Sequence, residues 1–358
     1  MNFIGLRKLF VGLILLINLS SSTLPAGNND VFVIGTTSIP PGEMKSGYLS
    51  VPEMDGIKTY VPFTVINGSR KGKVLALVAG VHGYEYPPIL ALYRLRQMIN
   101  PDSFSGTLIM IHIANLPAFQ KRIIYYNPHD WKNLNRVFPG DPQGTVSQRI
   151  AYVLKKEVIE KCDYLIDLHC GDGNEALIPY AYWMIKDDQE IDKVTKDMLL
   201  AFGLKYIIID KTRSKDISQS KYLGNTAILL SKPAITTESG YLGKTDEISI
   251  VRNVKGILNV MRLFRMIEGE PEFITEPVWI EPYEVIYSNH DGLFYPLTKM
   301  GYYVAKGEKV GFITDYLGDI KEEVRAPFSG IILYIIDTPP INKGEPLFEV
   351  GKAKPLFK

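Results

Sequence analysis

The chain has 358 residues, of which 46% are hydrophobic and 22% charged, enough for one large core plus a smaller second unit. Its 40 basic and 39 acidic residues leave a formal charge of +1, with no long block of either sign, so the electrostatic footprint of a nucleic-acid binder is missing.

At the N-terminus, Arg7 and Lys8 precede an apolar run over residues 9–19 and then small polar residues up to Pro25-Ala26-Gly27. This is the layout of a secretory signal peptide over residues 1–26, and it implies an exported, periplasmic or secreted protein. The run falls short of the roughly 20 apolar residues a membrane span needs, so a retained N-terminal anchor is the alternative, and no stable span is expected after cleavage. The chain has only two cysteines, Cys162 and Cys170, at the two ends of an apolar run too long for a disulfide to bridge if extended. Two buried free thiols are expected.

From residue 27 to 275, β-branched runs alternate with helical stripes. Residues 73–79 (KVLALVA), 107–113 (TLIMIHI), 164–168 and 206–209 read as strands. Residues 147–161 place Ile150, Val153, Leu154 and Val158 on one helical face, and residues 246–267 carry a longer stripe through Ile250, Val254, Ile257, Met261 and Phe264. Such alternation predicts an α/β fold, a parallel or mixed sheet flanked by helices. Past the Pro- and Glu-rich joint near Glu270 the stripes stop, and short runs separated by glycines predict a small β-domain over residues 276–358.

The chemistry gathers where predicted strands of the first unit end, which is where ligands bind in open α/β sheets. After KVLALVAG comes Val81-His82-Gly83-Tyr84-Glu85, giving an H-x-x-E pair before the helix start expected at Pro87-Pro88. A carboxylate three residues from an imidazole reaches the same ion if the turn between them is tight, which Gly83 permits; alone, such a pair more often marks an ordinary histidine. A second strand ends in Asp167-Leu168-His169. Two nitrogens and one carboxylate leave a fourth zinc position open, the layout of a catalytic site. His112 lies inside a predicted strand and is expected to be packed, while His129 and His290 fall in a loop and in the second unit. Arg122 and the segment Asn133-Leu134-Asn135-Arg136 put two guanidiniums and amides between the ligands, which suits a carboxylate-bearing substrate; the competing reading is a surface loop tied by Asp130 and Arg136. Finally, Ile235-Thr236-Thr237-Glu238-Ser239-Gly240 is a strand ending in an acid.

Taken together, GVHGYE (80–85), NLNRVFPG (133–140), GTVSQRIA (144–151), DLH (167–169) and ITTESG (235–240) resemble the succinylglutamate desuccinylase/aspartoacylase family of the zinc metallocarboxypeptidase superfamily, in that family's order and over nearly the whole chain after the leader. The resemblance implies a zinc carboxypeptidase-like fold with one Zn2+ per chain held by His82, Glu85 and His169. It also implies Glu238 as general acid/base and Arg122, Asn135 and Arg136 as residues that hold substrate; an Arg122 guanidinium beside the metal would also stabilise the oxyanion of a tetrahedral intermediate. Asp167 and Asn174 are candidate supports of that first set. The expected activity is hydrolysis of a small N-acyl amino acid or related amide. A carboxypeptidase-like action on peptides of the cell wall and a non-catalytic binding protein are the alternatives, and an ester substrate is compatible; an oligomer is too. Gly307-Glu308-Lys309-Val310 and Ala326-Pro327-Phe328-Ser329-Gly330 resemble the β-barrel appended to this family and, more distantly, a biotinyl/lipoyl-type fold. Gly318-Asp319 falls at the hairpin tip where a carrier Lys would stand, and Lys321 is a poor substitute, so no attached cofactor is expected.

Overall fold

The computed structural model describes residue 27, residues 29–54 and residues 56–354. The expected signal peptide lies outside the described residues, and among these no helix is long and apolar enough to cross a membrane.

A single mixed sheet runs through the chain. Across it lie, in order, Tyr303–Val304, Gly330–Ile336, Pro346–Ala353, Val278–Tyr287, Tyr206–Asp210, Tyr180–Met184, Ala234–Glu238, Tyr164–His169, Arg70–Ala79, Ser105–Ile111, Tyr60–Asn67 and Glu43–Ser50. The central strands pair in parallel, Arg70–Ala79 with both Ser105–Ile111 and Tyr164–His169, and the latter with Ala234–Glu238. Both faces of these strands are buried, which explains their unbroken apolar sequence.

Successive side chains of a strand point to opposite faces, so each strand feeds two cores. On one face Ala76, Val78, Ile109, Ile111 and Leu165 pack under the helices Val146–Leu154 and Leu223–Leu229. On the other face Leu75, Leu77, Leu108, Met110, Ile166 and Leu168 pack under Tyr86–Met98, Gln189–Phe202 and Glu247–Leu263. Each fully buried Leu or Ile contributes about 1.5–3 kcal/mol. The expected helix over 147–161 is present, its last turns relaxed into a π-helical segment Lys155–Ile159.

The C-terminal unit is all-β, as its glycine-separated runs predict, but its strands divide between two sheets instead of closing into a barrel of their own. The expected boundary falls just before Val278–Tyr287, and that strand pairs in parallel with Tyr206–Asp210 and antiparallel with Pro346–Ala353. The main sheet therefore continues across the joint. The remaining strands Ile320–Arg325, Lys309–Thr314, Gly292–Pro296 and Pro340–Ile341 form a four-stranded sheet, and Phe294, Val310, Ile313, Ile332 and Phe348 fill the space between the two. Gly318 turns the hairpin with φ +98°, and Lys321 just beyond it pairs with Asp315 at 2.8 Å. Both cysteines are free and buried. Burial pushes the Cys162 thiol up to about 12.

Candidate active site

At the carboxyl ends of the central strands the helical cover runs out, and a cavity of about 900 Å³ opens there. Ala79 ends one strand, and the chain then turns through His82 and Gly83 into a helix with Pro at its start. Gly83 lies against the backbone of Ala118 and Phe119, where a Cβ would stand 2.1 Å from the Phe119 nitrogen. Only glycine lets the turn sit this deep, and its depth is what brings Glu85 back to His82.

His82, Glu85 and His169 each present one ligand atom within 4.8 Å of the others. His82 Nδ1 lies 2.7 Å from Glu85 Oε1, and His169 Nδ1 lies 2.9 Å from Glu85 Oε2. All three residues are nearly sealed from solvent, at 9%, 2% and 2% exposure. Burial opposes charge on each of them, yet the two imidazoles hold the Glu85 carboxyl well below its usual range, and Glu85 in turn raises His82. His169 is raised further, burial being outweighed by Asp167 and Glu85. Although His169 is in close contact, Glu85 Oε2 makes no hydrogen bond of acceptable geometry, and neither does Asp167 Oδ1. Glu85 Oε1 is hydrogen-bonded to His82 Nδ1, but a buried Oε2 turned toward His169 without a bonded proton suits a cation. The donor set, two His and one carboxylate with an open side, fits a catalytic zinc site.

Around this cluster the expected partners fall into place unequally. Asp167 Oδ1 sits 2.9 Å from His169 Nε2, behind the ring. Asn135, on a short turn of 3-10 helix, directs its amide nitrogen at His169 Nε2 from 3.4 Å, while its Oδ1 accepts the Leu223 N–H at 2.9 Å. Arg136 lines the cavity beside it, its guanidinium over the Tyr222 ring at 4.7 Å. Glu238 ends its strand opposite His169 on one side and Tyr180 on the other, so these three side chains emerge on the same face. It lines the cavity, and burial, with Glu85, Glu175 and Asp167 adding to it against His169, raises its carboxyl well above the usual range.

Arg122 is the exception. It caps the helix Leu116–Lys121 in the left-handed conformation, φ 54°, which turns the chain and leaves the side chain exposed and absent from the cavity lining. The residue that does line the cavity is Tyr125, three positions on, with its ring edge-to-face on His82 at 5.9 Å. Its hydroxyl donates to Asn174 Oδ1 at 2.9 Å and to Glu175 Oε1 at 2.8 Å. Asn174 thus serves Tyr125 and not one of the three candidate ligands. His112 is packed as expected, stacked on Tyr93 at 4.5 Å.

Sequence reasoning missed the outer wall. Arg213, bonded through Nε to Asp210, stacks on Tyr222 at 3.8 Å. Tyr182, Tyr283, Tyr287, Tyr334 and Glu349 complete the wall, the last four from the C-terminal unit. One signal was available, since Glu349 is a lone acid inside the apolar run Leu347-Phe348-Glu349-Val350.

Comparison with known proteins decides the family. The succinylglutamate desuccinylase/aspartoacylase catalytic domain matches residues 71–264, more than half of the chain. This chain belongs to that family. It is 26% identical over 333 residues to the N-alpha-acetyl-L-2,4-diaminobutyric acid deacetylase of Halomonas elongata, covering 90% of this chain and 95% of the relative. Among solved structures, a succinylglutamate desuccinylase from a species of Silicibacter superposes with a TM-score of 0.76 at 27% identity, covering 88% of this chain and 97% of the other. The product-bound ectoine utilization protein EutE (DoeB) of Ruegeria pomeroyi gives the same figures.

Proposed function

We propose that the chain is a zinc-dependent deacylase that hydrolyses the amide bond of a small N-acyl amino acid. The observation that carries this reading is the meeting of His82, Glu85 and His169 in one cavity with Glu238 in register beside His169 and Arg136 on the same wall. The names of the similar deacetylase and desuccinylase support it.

Zinc, if held by these three residues, would supply a Lewis acid and a water whose pKa falls to about 7. Glu238 faces the same space, and in this reading it takes the water's proton and returns it to the departing amine. Its raised affinity for protons, which follows from burial among other carboxylates, suits a group that must hold a proton between the two steps. Arg136 anchors the substrate carboxylate, and Asn135, braced by the Leu223 amide, fixes the position of the acyl end. The solvent-facing placement of Arg122 gives no support to the substrate-holding and oxyanion roles expected of it.

Against the peptidase reading stands the outer wall. Strands of the C-terminal unit close the cavity with Tyr283, Tyr287, Tyr334 and Pro346, leaving space suited to a small molecule and not to an extended chain. Export, argued from residues 1–26, remains part of the proposal. The test is a screen of purified protein with zinc against N-acyl amino acids, short peptides and matched esters, reading released amine or alcohol. Turnover of N-acyl amino acids is expected; trimming of peptides with N-acyl amino acids left intact would put the peptidase in its place.

A further inference from the structure

Of the three candidate metal ligands, His82 has the least support from its own element. His169 ends a strand paired on both sides, and Glu85 leads directly into the helix Tyr86–Met98. His82 lies on the turn beyond Ala79 and is the most exposed of the three. Its ring nitrogens are both engaged, Nδ1 with Glu85 Oε1 at 2.7 Å and Nε2 with Asn133 Oδ1 at 3.1 Å. Two bonds in the ring plane fix where the nitrogens lie but let the plane rock about the line between them. Contacts from outside the plane are what stop that motion. His169 supplies one, 5.2 Å away and tilted by 59°, but it is itself a ligand. Tyr125 supplies the other, 5.9 Å away and nearly perpendicular at 83°.

Tyr125 is held in the left-handed region, φ 60°, which bulky residues rarely adopt and which persists only where the surroundings impose it. Glycine would take that conformation without strain, so the side chain is what the position retains. The Tyr125 backbone N–H donates to Asp172 Oδ2 at 3.0 Å, and Asp172 is fully buried. At the far end of the side chain, Asn174 and Glu175 clamp the hydroxyl. That clamp is anchored in turn. The strand Glu175–Leu177 pairs antiparallel with Gly330–Ile336 of the C-terminal unit, and the Asn174 carbonyl accepts the Asp337 N–H at 2.9 Å. Both ends of Tyr125 are therefore tied down, the outer one through the C-terminal unit.

We infer that Tyr125 is a positioning residue for His82, aimed by the clamp of Asn174 and Glu175, so that the C-terminal strand Gly330–Ile336 supports the metal end of the cavity. The inference rests on the proposed zinc site and not on the amide substrate. Because the clamp takes the hydroxyl proton, Tyr125 has none to offer a substrate, and its part is to keep the His82 plane where Nδ1 meets the other two ligands. A residue that orients a metal ligand contributes about 10- to 100-fold to metal affinity. The C-terminal unit thereby gains a role besides closing the cavity.

The test is the zinc Kd of the full chain, from competition with a chromogenic chelator, read beside the thermal midpoint of the metal-free protein. Tyr125→Leu should raise the Kd about 10-fold or more, and Tyr125→Phe, which keeps the ring but frees it from the clamp, about threefold. Glu175→Leu leaves the tyrosine in place and should also raise the Kd about threefold, while Glu175→Gln, which again offers the hydroxyl a hydrogen-bond partner, should bring it back toward the wild-type value. Tyr93→Leu, which takes a tyrosine from His112 outside the site, should leave the Kd unchanged. If Tyr125→Leu does not fold, Tyr125→Phe and the two Glu175 variants decide the matter. An unchanged Kd in the Tyr125 variants and in Glu175→Leu would overturn the inference, and so would a weakening that merely follows the thermal midpoint without rescue by Glu175→Gln. A wild-type chain that binds no zinc would sink the metal site and this inference together, whereas the expected pattern of zinc affinities with no amide cleaved would sink the deacylase reading alone.

Discussion

Gly83→Ala tests whether the depth of the metal turn is what makes the site. The added Cβ would stand 2.1 Å from the Phe119 nitrogen and 2.3 Å from the Ala118 carbonyl carbon, where ordinary contact begins at 3.4 Å. Both obstacles are backbone atoms, Ala118 and Phe119 lying in a helix, so neither swings aside as a side chain would. The turn must therefore retreat by about 1 Å, at an overpacking cost of about 1–3 kcal/mol. That retreat carries His82 and Glu85 with it. A displacement of this size in positioning residues lowers rates by about 100-fold, and the metal should be held more weakly, since ligand geometry is what fixes it. Metal content after dialysis, thermal midpoint and kcat should be measured on the same preparation. Gly307→Ala, at a position with nothing within 4 Å, meets only backbone strain and is the control. Full metal content and unchanged kcat in Gly83→Ala would refute the reasoning, because the turn would then tolerate the shift that the packing forbids.

Glu238→Gln keeps the shape and removes the proton acceptor; metal content should hold and kcat should fall by about 100-fold or more, so a wild-type kcat would hand the proton to another group. Arg136→Lys keeps the charge but loses the planar fork, and KM for a carboxylate-bearing amide should rise by about 10-fold, while a matched substrate with a neutral amide in place of that carboxylate should hardly respond. For pH, Glu349 binds a proton more tightly when folded, at about 8, than its ordinary value of 4.5. Between those values the folded chain holds a proton that the unfolded chain has lost, so stability falls as pH rises across that window, at up to about 1.4 kcal/mol per pH unit. Denaturant midpoints of the wild type should decline from pH 5 to 8 relative to Glu349→Gln; parallel curves for the two proteins would show that Glu349 is charged throughout.

Most of the candidate metal site was legible in the sequence because His82, His169 and Glu238 stand at or just past strand ends, where an apolar run stops and polar residues with glycine follow. Glu85, at the start of the helix Tyr86–Met98, was legible only through its spacing from His82, and the parallel order of the strands brings all four to one edge. Asn135 and Arg136 reach the same cavity from one short turn of chain, Leu134–Arg136. Arg122 shows the limit of such reasoning, for its direction depends on a single left-handed residue at a helix end, which no periodicity announces. The outer wall was illegible for another reason. Tyr182, Arg213 and Glu349 come from elements far apart in the chain, and their meeting depends on Val278–Tyr287 joining the main sheet instead of staying within the C-terminal unit. A short apolar strand reads the same whichever sheet it joins, so glycine spacing predicted β-structure there without predicting which edge it would complete.

The most direct test of the account is metal removal and return with deacylase turnover as the readout. Protein stripped by a chelator should lose cleavage of N-acyl amino acids, and one equivalent of zinc per chain should restore it, whereas His82→Ala and His169→Ala should neither retain zinc nor recover. Undiminished amine release from the stripped protein, or from a chain lacking both histidines, would contradict the central claim.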